Sequence, residues 1–426
     1  MKEQRLRIPY GAGGLETVLP AQARVYTSRI DELPRREDED AIVREAMENP
    51  IGSEPLWKLA RGKKNAVVIV SDHTRPVPSR HILPFMLEEL RRENPEIGIT
   101  LLVATGCHRG TTPEELEAKL GRDIAQRERI VVHDCEIPES NVDIGVLPSG
   151  AHLIVDKAAA EADLLVAEGF IEPHFFAGYS GGRKSVLPGI CDRVTVHGNH
   201  CAAFIDSPFA RTGILEGNPI HRDMEAAARM AGLAYIVNVV IDEEKRVVAA
   251  FAGDALEAHA AGCTFLAPYC TLEVEEADII LTSNGGAPLD QNLYQAVKGM
   301  TAAEAAAAPG AILILCAECL DGTGGESFYR ALAGCASPSA LLEEIRKIPM
   351  DKTVADQWQY QILARVLEKH RVILVTRPEL KETVAAMKME YAASPGEALE
   401  RALAAKGKDA RIAVIPNGVS VVVKRR

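Results

Sequence analysis

Ala66-Val-Val-Ile-Val-Ser-Asp-His-Thr-Arg-Pro-Val-Pro78 is the stretch that decides the fold class. Five apolar residues without polar alternation read as a strand buried on both faces, the mark of a parallel sheet covered by helices. A proline-stiffened loop follows, then an amphipathic stretch from Ile82 to Leu90 that reads as a helix. Strand, loop and helix recur outward from there. Ile99-Thr-Leu-Leu-Val-Ala104 opens onto Thr105-Gly-Cys-His-Arg-Gly110, and Thr112 with Glu115 forms a capping box with Pro113 at the first helical position. Ala162-Asp-Leu-Leu-Val-Ala167 opens onto a long loop from Glu168 to Gly189.

A second series starts near residue 275. It comprises Ala277-Asp-Ile-Ile-Leu281 with a Gly-Gly loop and a helix, then Ala311 to Ala317, Val372 to Val375 and Ile412 to Ile415. With 426 residues, the chain exceeds what one core usually organises. The expected class is α/β: two α/β domains with mainly parallel sheets and an active-site cleft between them. The first spans 1–270 together with 400–426, the second 275–395, with the joint near 255–275. Ligands of such sheets sit beyond the strand C-termini, where the loops above lie.

Composition narrows the function. A net charge of -12 argues against a nucleic-acid partner, while a few Arg and Lys residues still suffice to hold one carboxylate. The start at Met1 lacks the apolar run of a secretory signal, and the longest apolar stretches are too short to span a bilayer. The expectation is a cytoplasmic protein with no membrane partner. Nine scattered cysteines do not form a disulfide framework, and Cys316-Ala-Glu-Cys319 reads as small residues at a strand end.

Several loops carry candidate chemistry. Asp72 and Arg75 sit just after a buried strand, where an arginine fork suits a carboxylate; the loop reads equally as a helix-capping turn with a solvated Arg. His108 stands at the mouth of a strand-to-helix loop, where an imidazole is a candidate acid/base group. Gly169-Phe-Ile-Glu-Pro-His-Phe-Phe-Ala-Gly-Tyr-Ser-Gly-Gly-Arg-Lys-Ser185 packs His174, Arg183 and Lys184 among glycines and aromatics. It lacks the spacing of a phosphate loop, although the backbone N–H groups at Gly181 and Gly182 remain candidates to hold a phosphate. His197-Gly-Asn-His200 offers imidazoles but no third ligand, so a zinc site is a poor fit, while one imidazole can complete a metal bound by a cofactor. Asp290, Tyr294 and Lys298, spaced by four, would share one face at a helix start, with Gln295 beside them.

Together these segments resemble the nickel-pincer lactate racemase family over essentially the whole chain. The likeness is carried by S-D-H-T-R-P at 71–76, G-C-H-R-G at 106–110, E-P-H-F-F-A-G-Y-S-G-G-R-K at 172–184, G-N-H at 198–200, Y-Q-x-x-K at 294–298 and Trp358. The resemblance implies a racemase that inverts a 2-hydroxyacid, lactate foremost, by reversible hydride transfer. It implies nickel and a pyridinium-3,5-bisthiocarboxylic acid mononucleotide, with Lys184 as covalent tether, His200 as metal ligand, and Asp72, Gly181 and Gly182 around the cofactor. His108 and His174 become paired acid/base residues, and Arg75, Tyr294, Gln295, Lys298 and Trp358 orient the substrate. Cofactor-biosynthesis enzymes follow as partners. Two alternatives stay open: the same machinery on malate, a longer aliphatic acid or an aldonate, and a protein that holds the nickel cofactor without turnover.

Overall fold

The computed structural model describes residues 4–33 and 36–426; the first three residues of the N-terminal stretch read above lie outside these. Two six-stranded sheets form the frame. The first runs in the order Val247–Gly253, Leu233–Ile241, Leu164–Phe170, Asn65–Ser71, Gly98–Ala104, Arg129–Val132, parallel throughout except for its Val247–Gly253 edge. Its central strands are apolar on both faces because helices cover both, and Leu164–Phe170 is buried at every residue.

The second sheet is wholly parallel, in the order Glu390–Ala392, Arg371–Val375, Ala307–Cys316, Ala277–Ser283, Ile412–Ile415, Ala23–Val25. Segments near 23–25 and 412–415, expected with the first unit, therefore pair into the second. Ile412–Ile415 is buried at every position and fits beside Ala277–Ser283. A short apolar run of this kind carries no mark of which sheet it joins. The expected joint is occupied by the helix Glu257–Cys270, and Thr271–Val274 then pairs with Val422–Arg425.

Helix ends follow local chemistry. The Thr112–Glu115 capping box forms with both reciprocal bonds at the start of Pro113–Leu120. The helix that carries Tyr294, Gln295 and Lys298 begins later than the spacing predicts, at Leu293. Asn292 is its cap, accepting from the Gln295 N–H at 3.0 Å. Asp290 therefore lies off that face. Its carboxylate instead accepts the N–H groups of Gly11 (2.7 Å) and Glu318 (3.0 Å). Cys316 ends its strand and Cys319 turns away from it, both as buried free thiols.

Candidate active site

Loops at the C-terminal ends of Asn65–Ser71, Gly98–Ala104 and Leu164–Phe170 enclose one cavity. Asp72, Arg75, His108, His174, Gly181 and Lys184 line it, with Glu168 and Glu172 in its wall. Asp72 is 1% exposed. Its Oδ1 accepts from the Thr74 N–H (3.2 Å) and hydroxyl (2.7 Å), and its Oδ2 accepts from His108 Nδ1 at 2.7 Å. Burial alone would raise the Asp72 carboxyl. The hydrogen bond and charge of His108, with help from Arg75 and Thr74, outweigh it and bring the group down to about 2.

His174 lies on the short strand Pro173–His174, which pairs with Gly178–Tyr179 in a tight hairpin. Its Nδ1 accepts the Ala177 N–H at 3.2 Å, and its Nε2 is 3.5 Å from Lys184 Nζ. Burial, and then the charges of Lys184, Lys298 and Arg75, hold its pKa well below the usual histidine range. Lys184 is also pulled far down, by burial first and then by Arg183, Arg75 and Lys298, which disfavours its charged form.

Neighbouring Arg183 points the opposite way and is 0% exposed. It donates to the Ala177 carbonyl (2.8 Å), the Gly181 carbonyl (3.0 Å) and His221 Nδ1 (3.0 Å). The glycines make this turn possible. Gly181 and Gly182 have φ of +76° and +54°, and a Cβ on either would meet Asn238 Oδ1 at 2.5 Å or the His259 ring at 2.7 Å. Gly182 donates its N–H to Asn238 Oδ1 (2.6 Å), so that donor is already spent within the protein; Gly181 alone of the two lines the cavity.

His200 caps the helix Arg193–Asn199 and is 4% exposed. Phe176 and Trp358 pack against it edge-on, at 5.0 and 5.1 Å between ring centroids. Burial first, then Lys184 and His197, lower its pKa to about 3, so the imidazole is neutral. Its Nδ1 is buried without a hydrogen-bond partner. From the second sheet's side come Tyr294, whose phenol is raised by burial and bonded to Trp358, and Lys298. The Lys298 ammonium stands 5.9 Å from the Phe175 ring centre and is lowered to about 8, by burial first and then by Arg75. Gln295 is half-buried on the same helix; its backbone joins the cap, and its side chain is not brought to the other groups by any hydrogen bond.

Three residues of the site escape the sequence reading. Buried Glu168 accepts from the Ser71 N–H (3.1 Å) and the Ser79 hydroxyl (2.8 Å), with Oε2 unpartnered. Lys119 donates to the Arg75 carbonyl at 3.0 Å and so holds that loop from below. Glu172 faces Lys298, Arg75 and Lys184, and burial raises its carboxyl despite them. The clue for both glutamates was their place in and just after an otherwise apolar strand, where a charge must have a use. Among the described residues, no helix is long and apolar enough to cross a membrane, and no group of three or more His, Cys, Asp or Glu residues is arranged to hold a metal ion.

Comparison with known proteins matches two stretches of the chain. Residues 10–213 match the family described as the lactate racemase N-terminal domain, and residues 272–423 the lactate racemase C-terminal domain. The lactate racemase of Thermoanaerobacterium thermosaccharolyticum is 51% identical over 423 residues, covering 99% of both chains. That of Lactiplantibacillus plantarum is 50% identical over 406 residues, covering 95% of this chain and 94% of its own. The solved lactate racemase apoprotein from T. thermosaccharolyticum superposes with a TM-score of 0.96, covering 99% of this chain and 100% of that one at 51% identity. A Thermotoga maritima protein of 18% identity shares the fold, with a TM-score of 0.67 over 92% of this chain and 100% of its own.

Proposed function

The chain belongs to the lactate racemase family, and from that premise we propose that it interconverts the two enantiomers of lactate. The observation that carries this reading is the convergence of His108, His174, Arg75 and Lys184 on one cavity, with Lys298 facing them. A 2-hydroxyacid offers a carboxylate to clamp and a hydroxyl proton to move, and these residue types do both. Arg75 and Lys298 hold the carboxylate. Tyr294, Gln295 and Trp358 shape the rest of the substrate's surroundings, on a 275–395 unit that closes over it. His108 and His174 attend the hydroxyl, with Asp72 as the positioning residue behind His108.

Nickel and the pyridinium bisthiocarboxylic acid mononucleotide fit the residues present. A neutral, buried imidazole with an orphaned nitrogen, His200, suits a metal donor. With no cluster of protein ligands among the described residues, the remaining donors would be the cofactor's sulfurs and carbon. Lys184, whose charged form burial disfavours, suits a thioamide tether, and Asp72, Gly181 and the Gly182 turn would border the nucleotide. The chemistry such a group supplies when bound is a reversible sink for the hydrogen and electron pair at the substrate's 2-carbon. Enzymes that build it are the partners this reading requires. Nine free cysteines suit a reducing, cytoplasmic setting.

The test is chiral analysis of protein made alongside the cofactor-building enzymes and offered either pure enantiomer. Both should run to an equal mixture. Nickel-loaded protein that leaves both unchanged would remove lactate as the substrate. In the same preparations, Lys184→Ala should lose the covalent mass increment in intact-protein mass spectra, and His200→Ala should lose most of its bound nickel. Wild-type nickel in the second variant would reject the ligand assignment.

Lys298 also sets a pH expectation. Its ammonium is lowered to about 8, so it loses its charge as pH rises through that value. Substrate binding should therefore be intact below pH 8, and KM should rise about tenfold per pH unit above it, toward the limit for loss of one required proton. The steady-state measurement is KM against pH for the wild type and for Lys298→Arg, whose charge persists; an equal rise in both would rule out Lys298 as the cause.

A further inference from the structure

We infer that a second cavity, behind Phe175 and between the two sheets' layers, binds a small phosphate-bearing anion and thereby tightens the hold on substrate in the catalytic cavity. It measures about 640 Å³, room for a compact metabolite. Phe175, Arg211 and Thr212 reach it from the first sheet's side, Thr301 and Lys369 from helices of the second, and Arg425 from the last strand. Among the described residues it shares no lining residue with the catalytic cavity.

The charges around it do not balance. Arg211, Lys369, Arg425 and the adjoining Arg365 stand against two carboxylates, and both of these are taken. Glu304 accepts from Arg365 Nε (3.0 Å) and Nη2 (2.7 Å), and Glu276 pairs with Arg425. Arg211 gives only its Nη1 to the protein, to the carbonyls of Ile205 (3.5 Å), Ser207 (2.9 Å) and Ala210 (2.8 Å). Among the described residues its Nε and Nη2 have no hydrogen-bond partner. Burial lowers the guanidinium to about 10, so it keeps its charge at neutral pH. A half-buried guanidinium with idle N–H groups is matched by an anion with several acceptor oxygens. A surplus of two positive charges suits the dianion of a phosphate better than a lone carboxylate. Phe175, Ile214 and Val423 leave an apolar face for an organic body attached to it.

Each wall leads to a catalytic group through one or two contacts. The Phe175 ring lies 5.9 Å from the Lys298 ammonium and 5.0 Å from the His174 ring. Beside Arg211 and Thr212, Gly213 donates its N–H to the Gly178 carbonyl (2.9 Å), in the hairpin that holds His174. Asn218 Nδ2 joins the same two segments, donating to Phe176 O (2.8 Å) and Ile214 O (3.0 Å). On the opposite wall the Thr301 hydroxyl donates to the Lys298 carbonyl (2.7 Å). An anion bridging Arg211 to Lys369 therefore draws together the elements that carry His174 and Lys298. This coupling, unlike the binding itself, rests on the site assignment above. By linkage, substrate must tighten the anion by the same factor.

The test is calorimetric titration of full-length, cofactor-loaded enzyme with glycerol 3-phosphate and, separately, inorganic phosphate, at constant ionic strength. One anion per chain should bind. Affinity should fall about tenfold or more in Arg211→Gln and in Lys369→Glu, an exposed change that leaves basal racemisation as it is. It should stay within about threefold in Lys298→Ala, which lies outside the cavity. An ester held about tenfold tighter than phosphate marks a metabolite as the occupant, equal affinities mark the free ion, and both uphold the site. At saturation, KM for lactate should fall about fivefold in the wild type and stay constant in Lys369→Glu. Absence of binding, or binding that survives both Arg211→Gln and Lys369→Glu, overturns the inference. Loss in Lys298→Ala alone would put the anion in the catalytic cavity and overturn it as well, and a constant wild-type KM would overturn the coupling. The titration needs no turnover, so an enzyme that binds the anion but leaves lactate unchanged would fault only the lactate reading.

Discussion

Asp72→Asn is expected to cut the rate of racemisation by about 10²–10⁴ while leaving the fold intact, because it would invert the His108 tautomer. The orientation of the new amide is set by Thr74. Its N–H points at Oδ1, so the amide oxygen must stay there and the NH2 must take the place of Oδ2. A donor would then face His108 Nδ1, which must become an acceptor, and the proton would move to Nε2, where the lone pair is needed. The measurement is kcat/KM for both enantiomers in cofactor-loaded variant and wild type, with thermal unfolding as the control for fold. A variant within threefold of wild type would mean that Asp72 does not set the state of His108.

Arg183→Ala is expected to be the costliest change for stability, on the order of 3–5 kcal/mol. The guanidinium has no exposed surface, yet burial lowers it only to about 10, so it stays charged at neutral pH. Removing it leaves the Ala177 and Gly181 carbonyls and His221 Nδ1 without their donor, inside a space sized for arginine. His221 Nε2 lies 3.4 Å from Glu225, so the loss would reach that pair as well. Denaturant midpoints of Arg183→Ala and Arg183→Lys would measure it. The lysine variant should fall between, since an ammonium cannot reproduce the planar fork. An unchanged midpoint in the alanine variant would show the guanidinium to be dispensable.

What the sequence made legible was what local chemistry decides. The buried parallel strands after residue 65, the Thr112 cap and the loops carrying His108, His174 and Lys184 follow from runs and turns a few residues long. Asp290 was misread because helical spacing is indifferent to where a helix begins; Asn292, nearer its first turn, took the cap, and Asp290 found amides far along the chain. Arg183 and Lys184 look alike in sequence, and only the turn at Gly181 and Gly182 sends one into the core and the other into the cavity. The partner of the Phe176 carbonyl was out of reach, since Asn218 meets it only once the chain has folded back. Ala23–Val25, at three residues, gave too short a signal to be read as a strand at all.

That small strand has an outsized bearing on how the molecule is made. It adds to the second sheet against Ile412–Ile415, the last of that sheet's strands to emerge, while everything in the first sheet lies between the two. During synthesis the inner sheet has all its strands long before its neighbour can be closed, and Ala23–Val25 must wait for a partner nearly a full chain length away. Loop-closure entropy grows only slowly with such a separation, but pairing across it is slow. A chain that ends short of residue 412 would thus hold His108, His174 and Lys184 on a complete first sheet, beside a second sheet still open at Ala277–Ser283.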